Sequence, residues 1–171
     1  MPIPSINLIS VDALGVVRDS LKGAPNSTLI TSLGELRRAL DLYATRSTAP
    51  AVTVDLLGHS TRDHQLLRMG GVVLDALELR IRRYFEEIER SQVLLALHAV
   101  SLRLLGCETA VSPSGQRTLR MLADILGLPV VGTLVRLGRT HHAEESFNPR
   151  FDHVLFLVEP RRNRAQRLPS S

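Results

Sequence analysis

Apolar and polar positions along this chain switch repeatedly between a two-residue and a 3.6-residue period. Ser5–Val11 alternates like a strand, and Asp12 follows it. Val16, Val17 and Leu21 then fall at helical spacing, in a short helix that stops near Gly23. After the turn signal Pro25-Asn26, the β-branched run Thr28–Thr31 predicts a second strand. Ser32, with Glu35 three residues on, is a capping box opening a helix whose apolar positions are Leu33, Leu36, Leu40 and Tyr43. That helix ends before Ala49-Pro50. Ala51–Leu57 is mostly apolar up to Gly58, as a central strand buried on both faces should be.

Residues 58–71 are polar and rich in breakers, which predicts a loop with a small hairpin near Leu66–Val73. Leu74 to Ala99 reads as helix with a break near Ser91, and its apolar positions Ile81, Tyr84, Phe85, Ile88 and Leu95 form a stripe that could serve dimerisation. Leu102–Leu105 is another short buried strand, ending at Gly106-Cys107. Pro113 and Ser114 introduce a helix over Thr118–Leu126 that Gly127 stops. Pro129–Leu134 and His153–Val158 read as the last two strands, with a polar loop over Gly138–Arg150 between them. Six strands alternating with helices predict an α/β fold with a largely parallel sheet and helices on both faces. Residues 1–160 form this domain, and 161–171 are a basic, disordered tail.

Composition narrows the class. The 171 residues are 44% hydrophobic, enough for one domain with a full core. No apolar run reaches the roughly 18 residues of a membrane helix, and Met1-Pro2-Ile3-Pro4 does not begin a signal peptide. The expectation is a soluble, cytoplasmic protein without a membrane partner. The net charge of +4 resides in the tail, where Arg161, Arg162, Arg164 and Arg167 stand without an acid. The body is neutral and has only six aromatic residues, so a nucleic-acid platform is not expected. The single cysteine rules out an internal disulfide.

Chemistry is expected where parallel strands end. Val54-Asp55-Leu56-Leu57-Gly58-His59 sets an imidazole just past one strand, and Leu102-Arg103-Leu104-Leu105-Gly106-Cys107 sets a thiol just past the next. A thiol of ordinary pKa is only a few per cent thiolate at neutral pH, so an adjacent imidazole supplies what a cysteine nucleophile needs. The backbone N–H groups of Ser60 and Cys107 are the oxyanion donors this arrangement offers. The bland reading of a lone strand-end cysteine is a small buried hydrophobe.

Gly-His-Ser at 58–60 and Leu-Leu-Gly-Cys-Glu-Thr-Ala at 104–110 resemble the two signature strand ends of caspase-like cysteine peptidases. The second is most similar to CHAT domains, and the downstream run from Ser114-Gly115-Gln116 to Val130 resembles an uncharacterised caspase-like domain of large bacterial surface proteins. The resemblance spans about residues 5–160 and implies a three-layer sandwich around a mostly parallel six-stranded sheet. It also implies a bacterial thiol peptidase with Cys107 as nucleophile and His59 as general base and acid. Ser60 departs from the glycine the family has there. In relatives that cut after Arg or Lys, an acid near the first strand's end binds the basic side chain, which makes Asp12 a candidate, with Asp63 a second. Asp12 also has a bland reading, as a helix cap.

Other chemistries fit less well. Gly58-His59-Ser60-Thr61-Arg62 lacks the glycine that a serine nucleophile elbow needs at its fifth position. His59, His64, His141 and His142 lack metal-ligand spacing and read as surface-loop residues, so no metal is expected. The loop with His141, His142, Glu144 and Glu145 could be a lid over the His–Cys edge. No glycine-rich phosphate loop follows a strand, and no cofactor is expected. The partners expected are a protein or peptide substrate, a second copy of the chain or a separate regulatory chain. A catalytically silent caspase-like module that binds proteins is the alternative.

Overall fold

Near-continuous apolar strands are stable only when both their faces are covered, and that requirement organises this chain. The computed structural model describes residues 3–13, 15–21, 24–143 and 145–161. Its main sheet contains β1 (Ser5–Ser10), β2 (Ser27–Ile30), β3 (Val52–Leu57), β6 (Ala99–Leu105), β7 (Val130–Thr133) and β8 (Leu155–Val158). The order is β2-β1-β3-β6-β7-β8, parallel throughout except for β8 against β7. A separate hairpin pairs β4 (Arg68–Met69) with β5 (Val72–Val73). The fold is therefore α/β with a mostly parallel six-stranded sheet.

The two faces are covered unequally. Ile6, Leu8, Val54, Leu56, Leu102 and Leu104 enter the larger core. There they meet α2 (Leu33–Arg46), α3 (Leu79–Arg90), α4 (Val93–Ala96) and α5 (Pro113–Leu126). Ile9, Leu57 and Leu105 point the other way, onto Leu21 of α1 (Gly15–Leu21) and onto Leu137, Phe147 and Val154. Where the sequence predicts helices on both faces, four lie on one and α1 shares the other with the 137–154 segment. The expected stop at Gly23, the side chains of Val16 and Val17, Glu144 and the tail beyond Arg161 lie outside the described residues.

Local chemistry explains most element ends. Ser32 Oγ accepts from the Glu35 N–H at 3.2 Å, while the Glu35 carboxylate accepts from the Thr31 N–H at 2.8 Å, so the capping box closes one residue early. Pro113 and Ser114 open α5, as the sequence predicts, and Ser112 caps it by accepting from the Gly115 N–H at 2.9 Å. The helix expected over Leu74–Ala99 begins only at Leu79 and breaks at Ser91–Gln92, with Gln92 left-handed at φ 60°. It stops short of Ala99 because that residue pairs with Val52 as the start of β6. Of its apolar positions, Ile81, Phe85 and Ile88 are buried in the chain's own core, while Tyr84 is half-buried and Leu95 exposed. The last strand starts two residues late because Asn148 and Pro149 set up a 3-10 turn through Val154.

Candidate active site

The register of β3 against β6 decides where the candidate residues land. Asp55 pairs with Arg103 and Leu57 with Leu105, so His59 and Cys107 are each two residues past a paired position on neighbouring parallel strands. The Gly58 N–H still reaches the Leu105 carbonyl at 3.5 Å before the two chains part. Both exits require glycine. A Cβ on Gly58 would lie 2.1 Å from the Arg68 carbonyl oxygen, and one on Gly106 would lie 2.5 Å from Ser60 Oγ and 2.8 Å from Leu67 Cδ1.

The segment after His59 is stitched down by backbone bonds. The Arg68 N–H donates to His59 O at 2.7 Å and the Thr61 N–H to Leu66 O at 2.8 Å, flanking a bridge between Ser60 and Leu67. In this pattern the Ser60 N–H points away from the bridge, and no hydrogen bond among the described residues occupies it or the Cys107 N–H. The Ser60 hydroxyl is buried over Gly106 without a partner. That position turns the hydroxyl inward, toward Gly106.

The turn after Cys107 is held just as firmly. Glu108 is left-handed at φ 58°, a conformation that costs a non-glycine residue about 1–2 kcal/mol. Its N–H donates to Val135 O at 3.0 Å, and its carboxylate lies 3.7 Å from Arg136. Buried Thr109 then locks the turn to β7. Its Oγ1 donates to Leu104 O at 2.9 Å and accepts from the Thr133 N–H at 2.9 Å, while Thr133 Oγ1 donates to Gly106 O. These threonines were not singled out in the sequence, where only the Cys-Glu-Thr string hints at the first.

His59 and Cys107 are both half-buried and line one open cleft of about 630 Å³, with Ser60, Thr61, Arg62 and Gln65 on one side and Glu108, Arg136 and Leu137 on the other. Cys107 is thus not a sealed core residue. No hydrogen bond among the described residues links its sulfur to His59, and the imidazole makes none elsewhere. A second cleft of about 600 Å³ shares the His59–Arg62 wall and brings in Asp12, Asp63 and Asp75, with Arg62 and Arg68. The Asp12 carboxylate accepts from the Ser10 hydroxyl, which itself accepts from the Gly70 N–H at 2.9 Å.

The remaining histidines go elsewhere. His64 joins the second cleft, and His141 stacks on Phe151 at 4.6 Å while its Nδ1 accepts from the Gly138 N–H. His142, expected on the surface, is buried edge-on to Phe147 with neither ring nitrogen hydrogen-bonded. Burial pushes its imidazole down to about 4, assisted by His141 and Arg103. Among the described residues, none from 138–154 lines the His59–Cys107 cleft. This segment instead lies over the sheet, where Glu145 O accepts from Asn7 and Asn26. No group of three or more His, Cys, Asp or Glu among the described residues could hold a metal ion, and no described helix is long and apolar enough to cross a membrane.

No protein-family model matches this chain, and no curated protein matches it.

Proposed function

We propose that this chain is a caspase-like cysteine peptidase, a three-layer sandwich of the CHAT kind, acting on a protein or peptide substrate. The observation that carries the reading is the shared register. It carries an imidazole and a thiol past the ends of two adjacent parallel strands, where both line one cleft. The motif resemblance at 58–60 and 104–110 adds to it.

In the proposed cycle His59 takes the Cys107 proton, and the thiolate attacks the substrate carbonyl carbon. The oxyanion so formed accepts from the Ser60 and Cys107 N–H groups. His59 then protonates the departing amine as the carbon–nitrogen bond breaks, leaving a thioester. Water, deprotonated by His59, attacks that thioester; the acid departs and the proton returns to sulfur.

A basic side chain beside the cleaved bond would enter the second cleft. There Asp12, Asp63 and Asp75 outnumber Arg62 and Arg68 by one charge. The missing bond between Cys107 and His59 favours a second reading, a silent module that binds protein partners through the same cleft.

Alkylation of Cys107 by iodoacetamide at neutral pH separates the two. The peptidase reading requires rapid labelling that slows at least tenfold in His59→Ala; equal rates in both proteins would sink it. A peptide series with Arg, Lys or Asp at the cleaved position tests specificity, with cleavage after Arg or Lys lost in Asp12→Ala.

A further inference from the structure

The carboxyl edge of the sheet changes sign along its length. Asp12 follows the end of β1, His59 and Cys107 follow β3 and β6, and Arg136 follows β7. The cleft on the β1 side sets Asp12, Asp63 and Asp75 against Arg62 and Arg68, while the His59–Cys107 cleft sets Arg62 and Arg136 against Glu108. Among the described residues, acids prevail in the first and bases in the second. The backbone holds both arginines of the second cleft in place. The Val135 carbonyl accepts from the Glu108 N–H at 3.0 Å and Leu137 is buried with Leu105 and Phe147, so Arg136 is fixed on either side while its side chain stays 85% exposed. Its Nε lies 3.7 Å from the Glu108 carboxylate, a loose surface contact that engages one corner of the guanidinium. The Nη groups still present a fork that fits a carboxylate. Arg62 rides on a turn closed by the Gln65 N–H donating to Thr61 O at 3.1 Å and by Gln65 Nε2 donating to Arg62 O at 3.3 Å.

We propose that the site reads two charges of opposite sign on one extended peptide, and that Arg136, with Arg62 beside it, selects the acidic one. On the reading of this edge as a peptide site, the substrate class is a segment with a basic and an acidic residue at a set spacing. The basic residue lies toward Asp12 and the acidic one toward Arg136. The strand order β1-β3-β6-β7 puts these ends three strand spacings apart, about 14 Å at roughly 4.8 Å per spacing. An extended peptide advances about 3.4 Å per residue, so the two charges fall about four residues apart. Adjacent charges do not span that distance. A segment of uniform charge meets like charge at one end, which opposes binding.

Binding is measured on the full chain carrying Cys107→Ala, which lacks the thiol, by fluorescence anisotropy of short labelled peptides of Gly, Ser and Ala. A peptide with Arg and Glu at the derived spacing, in one of the two orders, is expected to bind about two- to fivefold more tightly than the same peptide with Arg alone, the gain an exposed ion pair supplies. The gain disappears when the two charges are adjacent, and also at about 1 M salt, where the Debye length is about 3 Å. Adding Arg136→Glu inverts the preference, so that a second Arg in place of the Glu binds better, an inversion that a merely structural Arg136 does not give. Far-ultraviolet circular dichroism confirms that each variant is folded. Equal binding of the Arg-only peptide and both Arg–Glu peptides, or no binding of any, overturns the proposal, as does an Arg136→Glu chain that keeps the original preference. Because no cleavage is read, this outcome is separate from the labelling of Cys107. Slow labelling with the charge preference intact removes the peptidase and leaves the specificity, whereas rapid labelling without the preference removes the specificity alone.

Discussion

Arg103 grips both carboxylate oxygens of Asp55 at 2.6 Å across the β3–β6 pairing, four residues before each strand delivers His59 and Cys107. Asp55 is fully buried, and Arg103 also donates to Ser5 Oγ at 3.0 Å and lies 5.7 Å over the Phe147 ring. Burial raises the Asp55 carboxyl above its usual range while Arg103 opposes the rise. The ion pair thus sits on the face left polar by Ser5, Asn7 and Thr53, directly behind the candidate site.

Removing one partner strands the other charge. Asp55→Ala is expected to lower the unfolding free energy by about 3–5 kcal/mol in urea titrations. The double substitution Asp55→Leu/Arg103→Met should recover most of that, since an apolar pair of similar volume leaves no charge unpaired. A loss below about 1 kcal/mol in Asp55→Ala would contradict a tightly buried pair.

His142 makes stability depend on acid. The unfolded imidazole protonates near 6.5 and the folded one near 4, so between these values the unfolded state holds more protons. The stabilisation is complete above pH 6.5 and fades as pH falls toward 4, by about 3 kcal/mol over the interval. His142→Phe should flatten this part of the profile, because neither ring nitrogen has a hydrogen bond to lose. Parallel pH profiles of the two proteins would refute the assignment.

Ser60 and Gly106 form a volume-matched pair. Gly106→Ala would drive a methyl into Ser60 Oγ, and we expect a loss of about 1–3 kcal/mol in thermal unfolding. Ser60→Ala removes a buried, unpartnered hydroxyl and should be neutral or slightly stabilising. Ser60→Ala more than about 1 kcal/mol less stable than the parent would reveal a partner for that hydroxyl.

Thr109 is expected to act on Cys107 through the turn. Thr109→Val leaves Leu104 O and the Thr133 N–H unpaired, costing about 1–3 kcal/mol for each group. Thr109→Ser retains both bonds and should restore the iodoacetamide labelling rate of Cys107 that Thr109→Val lowers. Equal labelling in all three proteins would confine Thr109 to the stability of β7.

Local rules read from the chain determined where most elements start and stop: the caps Ser32 and Gly127, the hairpin at 68–73, the six strands, and the glycines ahead of His59 and Cys107. Those rules act over a few residues, so a linear reading captures them. Whatever depends on distant partners was decided only by folding. His142 turns inward because its backbone bridges Phe147, and Ile81, Phe85 and Ile88 of α3 turn onto the core because the sheet lies beneath them. His59 and Cys107, 48 positions apart, line one cleft because Leu57 pairs with Leu105. One slipped residue would turn every side chain of β6 to the opposite face. The buried grip of Arg103 on Asp55 opposes that slip.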